Sequence, residues 1–152
     1  MPLISENDQA FLRDKFASDM ANSVKMVFFT QKRSPLVVPT GPECEACEET
    51  QTLLEEVAGL SDKISLETHD FVADAALARS YGVDKIPATL IINDQGENGL
   101  RFFGIPAGYE FASLIEDIID VSRGGGELTL ATKDSLAQLK KDVHIQVFVT
   151  PT

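Results

Sequence analysis

Cys44 and Cys47, the two cysteines of this 152-residue chain, stand three positions apart. Unrelated cysteines rarely fall at this spacing, which is typical of sites that bind a metal or exchange disulfides. A zinc site usually draws four ligands from a second cysteine pair or from closely spaced histidines. The two histidines, His69 and His144, are far apart in the sequence. The pair therefore favours redox chemistry over a metal site, and we expect neither a metal nor another cofactor.

The residues before the pair predict a buried strand followed by the start of a helix. The run from Val24 to Thr30 is apolar and β-prone, which indicates a central strand that is buried on both faces. Gly41 and Pro42 interrupt the chain just before Cys44, and proline suits the first turn of a helix. A cysteine at this place faces the partial positive charge of the helix N-terminus, which favours the thiolate.

The net charge and the hydrophobicity of the sequence limit which partners and which compartment we expect. Thirteen Lys and Arg against 24 Asp and Glu give a net charge of −11, which repels nucleic acid and anionic lipid. The first residues do not resemble a signal peptide, and the sequence has no apolar run long enough to span a bilayer. We therefore expect a cytoplasmic protein without nucleic-acid or membrane partners. In a reducing compartment, a lone Cys-x-x-Cys is more often catalytic than structural.

Hydrophobic periodicity and the placement of Gly, Pro and capping residues predict eight elements in an α/β domain. Their order is helix, strand, helix, strand, helix, strand, strand, helix. They lie at about residues 5–20, 24–30, 42–58, 64–68, 74–81, 86–92, 100–103 and 108–119.

This order, with the cysteine pair opening the second helix and Ile86-Pro87 preceding the third strand, resembles the thioredoxin fold. That fold has a central mixed sheet flanked by helices, to which this chain adds an N-terminal helix. The runs FFGIPAGYEF (102–111) and EDIIDVSR (116–123) are similar to the N-terminal unit of the protein disulfide oxidoreductases. Members of that family, also called glutaredoxin-like, carry two thioredoxin units in tandem.

The end of the sequence repeats its beginning. After three glycines at 124–126, which indicate a hinge, a helix at about 132–140 leads into an apolar run at 143–150. Its last residues, VFVT, match VFFT at 27–30. We therefore predict a thioredoxin-like unit at 1–123, and a linker, a helix and the first strand of an incomplete second unit at 124–152. Such an unpaired strand would seek a sheet edge, and a homodimer is one way to provide it.

The resemblance assigns roles to four residues. It implies that Cys44 attacks the disulfide of a client protein and that Cys47 resolves the resulting mixed disulfide. It also implies a cis bond before Pro87, which leaves the backbone of Ile86 free to bind client peptide. The partners are then client proteins with disulfides and a thiol or reductase that donates electrons.

Acidic side chains surround the pair, where they are expected to tune the sulfurs. Glu43 and Glu45 oppose the helix terminus, so we predict that they raise the pKa of the Cys44 thiol and make the pair reducing. The other interpretation is a solvated acidic helix start, which is common. The preceding strand has Met26, Val27 and Phe28 in place of the acidic residue that thioredoxins use for proton transfer.

Two other functions remain open. The chain could be a redox-inactive thioredoxin-fold module that binds clients or serves as a scaffold, or it could reduce glutathione mixed disulfides with Cys44 alone. Lys32 and Arg33 could receive a glutathione carboxylate, although a solvated loop explains them more simply. His69, at a predicted strand end, is expected to be a surface or turn residue rather than a catalytic one.

Overall fold

The computed structural model describes residues 2–31, 44–96 and 99–149, in which it shows five helices and four strands. In chain order they are α1 (Glu6–Asp19), β1 (Val24–Thr30), α2 (Cys47–Ala58), β2 (Ile64–Asp70), α3 (Ala75–Ser80), β3 (Ala88–Ile92), β4 (Arg101–Phe103), α4 (Tyr109–Arg123) and α5 (Leu130–Ala137). The first eight occur in the predicted order, which confirms the α/β class. None of these helices, which belong to the described part of the chain, has the length and apolar composition needed to cross a membrane.

The strands form one mixed sheet in the order β2-β1-β3-β4. Strand β1 runs parallel to β2 and antiparallel to β3, and β4 joins β3 as an antiparallel edge strand. Every residue of β1 is buried except Lys25, because helices cover both faces of the sheet. The prediction of a central strand from Val24 to Thr30 is therefore confirmed.

Successive side chains of β1 enter two hydrophobic cores on opposite faces of the sheet. Met26 and Phe28 belong to the larger core, which helices α1, α2 and α4 complete with residues such as Phe16, Leu54 and Ile118. Val27 and Phe29 belong to the smaller core, which α3 completes with Ala78. Full burial of one large apolar side chain stabilises the fold by about 1.5–3 kcal/mol, so β1 contributes to stability on both faces.

The N-terminal segment is fixed at two points. The Ser5 hydroxyl caps α1 by accepting a hydrogen bond from the Asp8 amide at 3.2 Å, as its sequence position indicates. The Glu56 carboxylate on α2 accepts hydrogen bonds from the backbone amides of Leu3 and Ile4, at 2.8 and 2.9 Å. The contact of Glu56, which no sequence pattern indicates, holds the segment before α1 against α2.

The C-terminal part of the chain departs from the prediction. Helix α5 begins and ends earlier than predicted, at Leu130 and Ala137. Of the strand predicted at 143–150, residues 143–149 are described, and they form neither helix nor strand in this chain. A strand is held by hydrogen bonds to a neighbouring strand, and no described element pairs with this segment. All residues from 124 to 149 are exposed, so we refer to 124–149 as the C-terminal extension.

One carboxyl group of α4, that of Asp117, lies where its ionised form is unfavourable. Burial against the protein raises the pKa of Asp117 above the usual aspartate value, and the nearby charge of Asp120 raises it further. The folded chain therefore binds a proton at Asp117 more tightly than the unfolded chain does. Its ionised form destabilises the fold at neutral pH.

Replacing Asp117 with asparagine should increase the free energy of unfolding at pH 7, because the neutral amide avoids this cost. The gain should be below about 1 kcal/mol, since the side chain is partly solvated. It should disappear below about pH 3.9, where aspartate is protonated even in the unfolded chain. Urea unfolding at pH 7 and pH 3 measures both values, and Asp142→Asn in the exposed C-terminal extension is the matched control. An equal gain at both pH values would contradict the assignment.

Candidate redox site

Cys44 and Cys47 form a disulfide, with the two sulfurs 2.01 Å apart and the two Cα atoms 5.5 Å apart. Cys47 is the first residue of α2, and 3% of its surface is exposed. Cys44 lies in the turn just before the helix and is only half-buried. The pair therefore consists of one partly exposed cysteine and one that is buried in the fold.

The start of α2 is stabilised mainly by its own backbone. Ala46 occupies the N-cap position without a side-chain cap, but its carbonyl accepts the Thr50 amide at 3.0 Å and the Thr50 hydroxyl at 2.6 Å. Glu48 and Glu49 lie in the first turn, where carboxylates interact favourably with the helix dipole. This agrees with the solvated acidic helix start and leaves the effect of the carboxylates on the sulfurs as a prediction.

Gln31 is a site residue that the sequence analysis missed. Its side-chain carbonyl accepts a hydrogen bond from the Cys44 amide at 2.8 Å. Because Gln31 directly follows β1, this bond ties the exposed cysteine to the end of the central strand. A polar residue after a buried strand is common, so its position alone carries no signal.

Five residues singled out in the sequence lie outside the described residues; they are Lys32, Arg33, Gly41, Pro42 and Glu43. The predictions made for them are therefore untested. Glu45, between the two cysteines, is described and exposed to solvent.

The predicted cis bond between Ile86 and Pro87 is confirmed. Pro87 is buried and Ile86 is half-buried. Ala88, the next residue, pairs with Phe29 near the end of β1. Since Gln31 holds Cys44 at that same end, the sheet brings Pro87 and the cysteine pair to one edge. The role of Ile86 in binding client peptide stays a prediction.

Thr89 is a second polar residue that the sequence did not single out. It lies opposite Phe28 in β3 and is fully buried. Its hydroxyl has no hydrogen-bond partner among the described residues. Leaving a buried hydroxyl unpaired costs about 1–3 kcal/mol. At this end of the sheet, the threonine hydroxyl on β3 is thus a buried polar group, whereas β1 has no buried acidic residue.

His69 takes part in a polar cluster on the edge strand β2. Its Nε2 lies 2.8 Å from a Glu67 oxygen and its Nδ1 lies 3.3 Å from an Asp74 oxygen. Its ring stacks on Phe29, with the centroids 5.4 Å apart. Hydrogen bonds from Lys25 and then from His69 lower the pKa of Glu67. These contacts give His69 a structural explanation, in line with its predicted placement at a strand end.

Comparison with known families shows to which family the chain belongs. A sequence profile described as "Thioredoxin domain" matches residues 36–116, more than half of the chain. The chain belongs to the thioredoxin domain family. The cysteine pair, the cis-proline and the mixed sheet are therefore parts of a thioredoxin-like redox domain.

Among curated proteins, the chain is similar to a much longer one. It is 31% identical over 105 residues to the alkyl hydroperoxide reductase AhpF of Pseudomonas aeruginosa, a match that covers 68% of this chain and 17% of that protein. The Staphylococcus aureus protein of the same name is 28% identical over 108 residues, with 71% and 19% covered. The chain thus spans less than a fifth of the length of these relatives.

Solved structures confirm the fold. The chain superposes on the N-terminal domain of alkylhydroperoxide reductase AhpF from Enterococcus faecalis with a TM-score of 0.75 and 27% identity, covering 91% of this chain and 62% of that one. For a protein disulfide oxidoreductase from Aeropyrum pernix, the TM-score is 0.72, the identity is 27%, and the coverage is 90% and 55%. The resemblance to the protein disulfide oxidoreductases is thereby confirmed.

Replacing Glu45 with glutamine should lower the pH midpoint of Cys44 alkylation in the reduced protein. A like charge about 4 Å away costs the thiolate about 1 kcal/mol in water, so we expect a shift of about 0.7 pH unit. The disulfide should also become more oxidising in a glutathione buffer. Iodoacetamide labelling followed by mass spectrometry measures the midpoint.

The control for this experiment is Glu55→Gln, which removes the same charge from an exposed position near the other end of α2. It should leave the midpoint unchanged. An unchanged midpoint in Glu45→Gln, or an equal shift in both variants, would show that Glu45 does not tune the sulfur.

Proposed function

We propose that this protein is a thiol–disulfide oxidoreductase that exchanges disulfides with client proteins through Cys44 and Cys47. The observation that carries the proposal is the unequal exposure of two bonded cysteine residues at the start of α2. Only the half-buried Cys44 can meet a macromolecular disulfide, while the buried Cys47 stays within reach of Cys44 alone. This is the arrangement that two successive exchange steps require.

The reaction starts from the reduced pair. The Cys44 thiolate attacks one sulfur of the client disulfide, which forms a mixed disulfide and releases the other client sulfur as a thiolate that takes up a proton. The Cys47 thiol loses its proton and attacks the Cys44 sulfur, which releases the second client thiol. The client disulfide has gained two electrons and two protons, and the Cys44–Cys47 disulfide remains.

The direction of exchange follows from the charges around the pair. Glu45, Glu48 and Glu49 place negative charge at the end of α2 where a thiolate would form. Weak stabilisation of the thiolate means weak stabilisation of the reduced pair, so the pair gives up its electrons readily. We infer that the protein reduces its clients and that a thiol or a reductase restores the dithiol. We also propose the cytoplasm as its compartment, because a reducing environment supplies the thiols that restore the pair.

Exchanging each cysteine for serine tests the two roles. Cys47→Ser should accumulate mixed disulfides with a reducible client such as insulin, because the resolving step is lost. Cys44→Ser should accumulate none, since the remaining thiol is buried at 3% exposure. Non-reducing electrophoresis after acid quenching shows the adducts, and the double variant is the control. Trapping by Cys44→Ser but not by Cys47→Ser would reverse the assignment.

A second candidate function is a redox-inactive module that binds clients or serves as a scaffold. The exposed apolar side chains of the C-terminal extension favour it, because they provide contact surface away from the cysteines. Insulin reduction with a thiol donor separates the two functions. A rate no faster than that of the donor alone would favour the module.

We further propose that 1–123 is a thioredoxin-like unit and that 124–152 contains the linker, helix and first strand of a second one. The superpositions on the two longer structures support this division. They cover about nine tenths of the chain, whereas 1–123 makes up only about four fifths of it, so they include part of the extension. Burial of apolar residues such as Val147 and Phe148, now 78% and 88% exposed, would be the driving force for pairing.

Hydrogen exchange on 143–149 combined with light scattering tests whether this segment seeks a sheet edge. At concentrations where the chain is monomeric, these amides should exchange rapidly, because no described strand pairs with them. Protection should grow with concentration as the chains form a homodimer. Strong protection in a strict monomer would mean that the domain covers this segment by itself and would overturn the division.

A further inference from the structure

A groove of about 580 Å³ lies between the N-terminal segment with α1, the first turns of α2, and the loop that leads into α4. Its floor is apolar and includes Leu12, Leu53 and Ile115, which are buried. On its rim, Phe11 is 65% exposed and Leu3 is 46% exposed. A concave apolar surface with an exposed aromatic ring at its edge is typical of binding sites rather than of ordinary protein surface.

The groove begins beside the redox site. Glu49, which lines it, is only two residues after Cys47 on α2. On the other wall, Ile105 follows Gly104, whose amide donates a hydrogen bond to the Pro87 carbonyl at 2.9 Å. One end of the groove is thus set by α2, which carries Cys47, and by the segment after β4, which is hydrogen-bonded to the cis-proline.

The charged side chains of the groove are predominantly acidic. Asp8, Glu49 and Glu116 line it together with one basic residue, Lys15. Lys15 lies 3.2 Å from Glu116 and 3.3 Å from Asp19, and hydrogen bonds to these two carboxylates raise its pKa. Its charge is therefore already compensated. The uncompensated charge of the groove is negative, which favours basic side chains in whatever binds there.

Acidic residues also lie between the groove and the cysteine pair. Glu45 stands in the turn just before α2, next to Cys44, and on α2 itself Leu53 lies about one helical turn after Glu49. An acidic path thus connects the cysteine pair with the apolar floor. A second copy of this chain, with its net charge of −11, is a poor match for such a path.

We propose that this groove docks the client, a proposal that rests on the function proposed above. The occupant is a client segment in which an apolar side chain, flanked by lysine or arginine, follows or precedes the disulfide cysteine. The Cα atoms of Cys44 and Cys47 are 5.5 Å apart, and Leu53 on the apolar floor lies six residues after Cys47, about 9 Å further along the helix. An extended client advances about 3.3 Å per residue, so its apolar side chain stands about three to five residues from its cysteine.

Matched disulfide peptides test the proposal with the full-length reduced chain. Two peptides of identical composition carry one cysteine in a mixed disulfide with a small fluorescent thiol. In the first, phenylalanine and lysine stand four and five residues from the cysteine; in the second, both exchange places with distant serines. We expect kcat/KM to be about tenfold higher for the first peptide, as partial burial of one aromatic ring allows. Equal values for the two peptides would overturn the docking proposal.

Two variants test whether a preference for the first peptide depends on the groove. In Phe11→Ser, the ratio of kcat/KM between the two peptides should fall towards one, mainly through KM. Val72→Ser, which changes another exposed apolar residue, 73% exposed and outside the groove, should keep the ratio of the unmodified chain. A ratio that Phe11→Ser leaves unchanged would overturn the proposal. Circular dichroism shows whether each variant is folded before its ratio is read.

Two further measurements separate this proposal from its alternatives. Each rate is compared with that on glutathione disulfide, which is too small to reach the groove. Loss of reaction with every disulfide would overturn the proposed function, and the docking proposal with it. Light scattering that shows a dimer converted to monomers by Phe11→Ser would assign the groove to a second copy and overturn the client as its occupant.

Discussion

The pairing of β1 with strands on both sides determines where everything else in this domain lies. Parallel hydrogen bonds to β2 and antiparallel bonds to β3 fix its register, and its side chains enter cores on both faces. The redox site is an extension of this strand. Gln31, just past its end, binds the Cys44 amide, and Phe29 pairs with the residue after Pro87. A change that slipped β1 by one residue would exchange its two core faces and displace both halves of the site together.

This dependence explains why much of the fold could be predicted from the sequence. A strand of consecutive apolar residues such as Val24 to Thr30 is stable mainly at the centre of a sheet that is covered on both faces. Apolar residues at helical spacing, such as Leu12 and Phe16 on α1, likewise indicate which face is buried. The cysteine spacing indicated the site directly, because few arrangements use that spacing, whereas Ile86 and Pro87 were assigned to it by the resemblance to the thioredoxin fold.

The features that escaped prediction have a common physical character. The contacts of Gln31 and Glu56 each join one side chain to backbone amides 13 or more residues away, and no local periodicity reports such a bond. The segment 143–149 presents the opposite case, because a predicted strand is not formed there. Its alternation is that of a true strand, but alternation describes only the side chains, whereas strand formation needs a partner backbone. The unpaired hydroxyl of Thr89 also gave no signal, since threonine is common in strands.

The Glu56 contact has a consequence for any polypeptide joined ahead of Leu3. Both oxygens of that carboxylate are used to fix the backbone of Leu3 and Ile4 on α2, so the direction in which the chain leaves the domain is set there. Leu3 is also on the rim of the groove. An affinity tag or a fused domain at this end would emerge over the groove and screen it. Reporters and tags are better attached beyond the C-terminal extension, whose residues are all exposed.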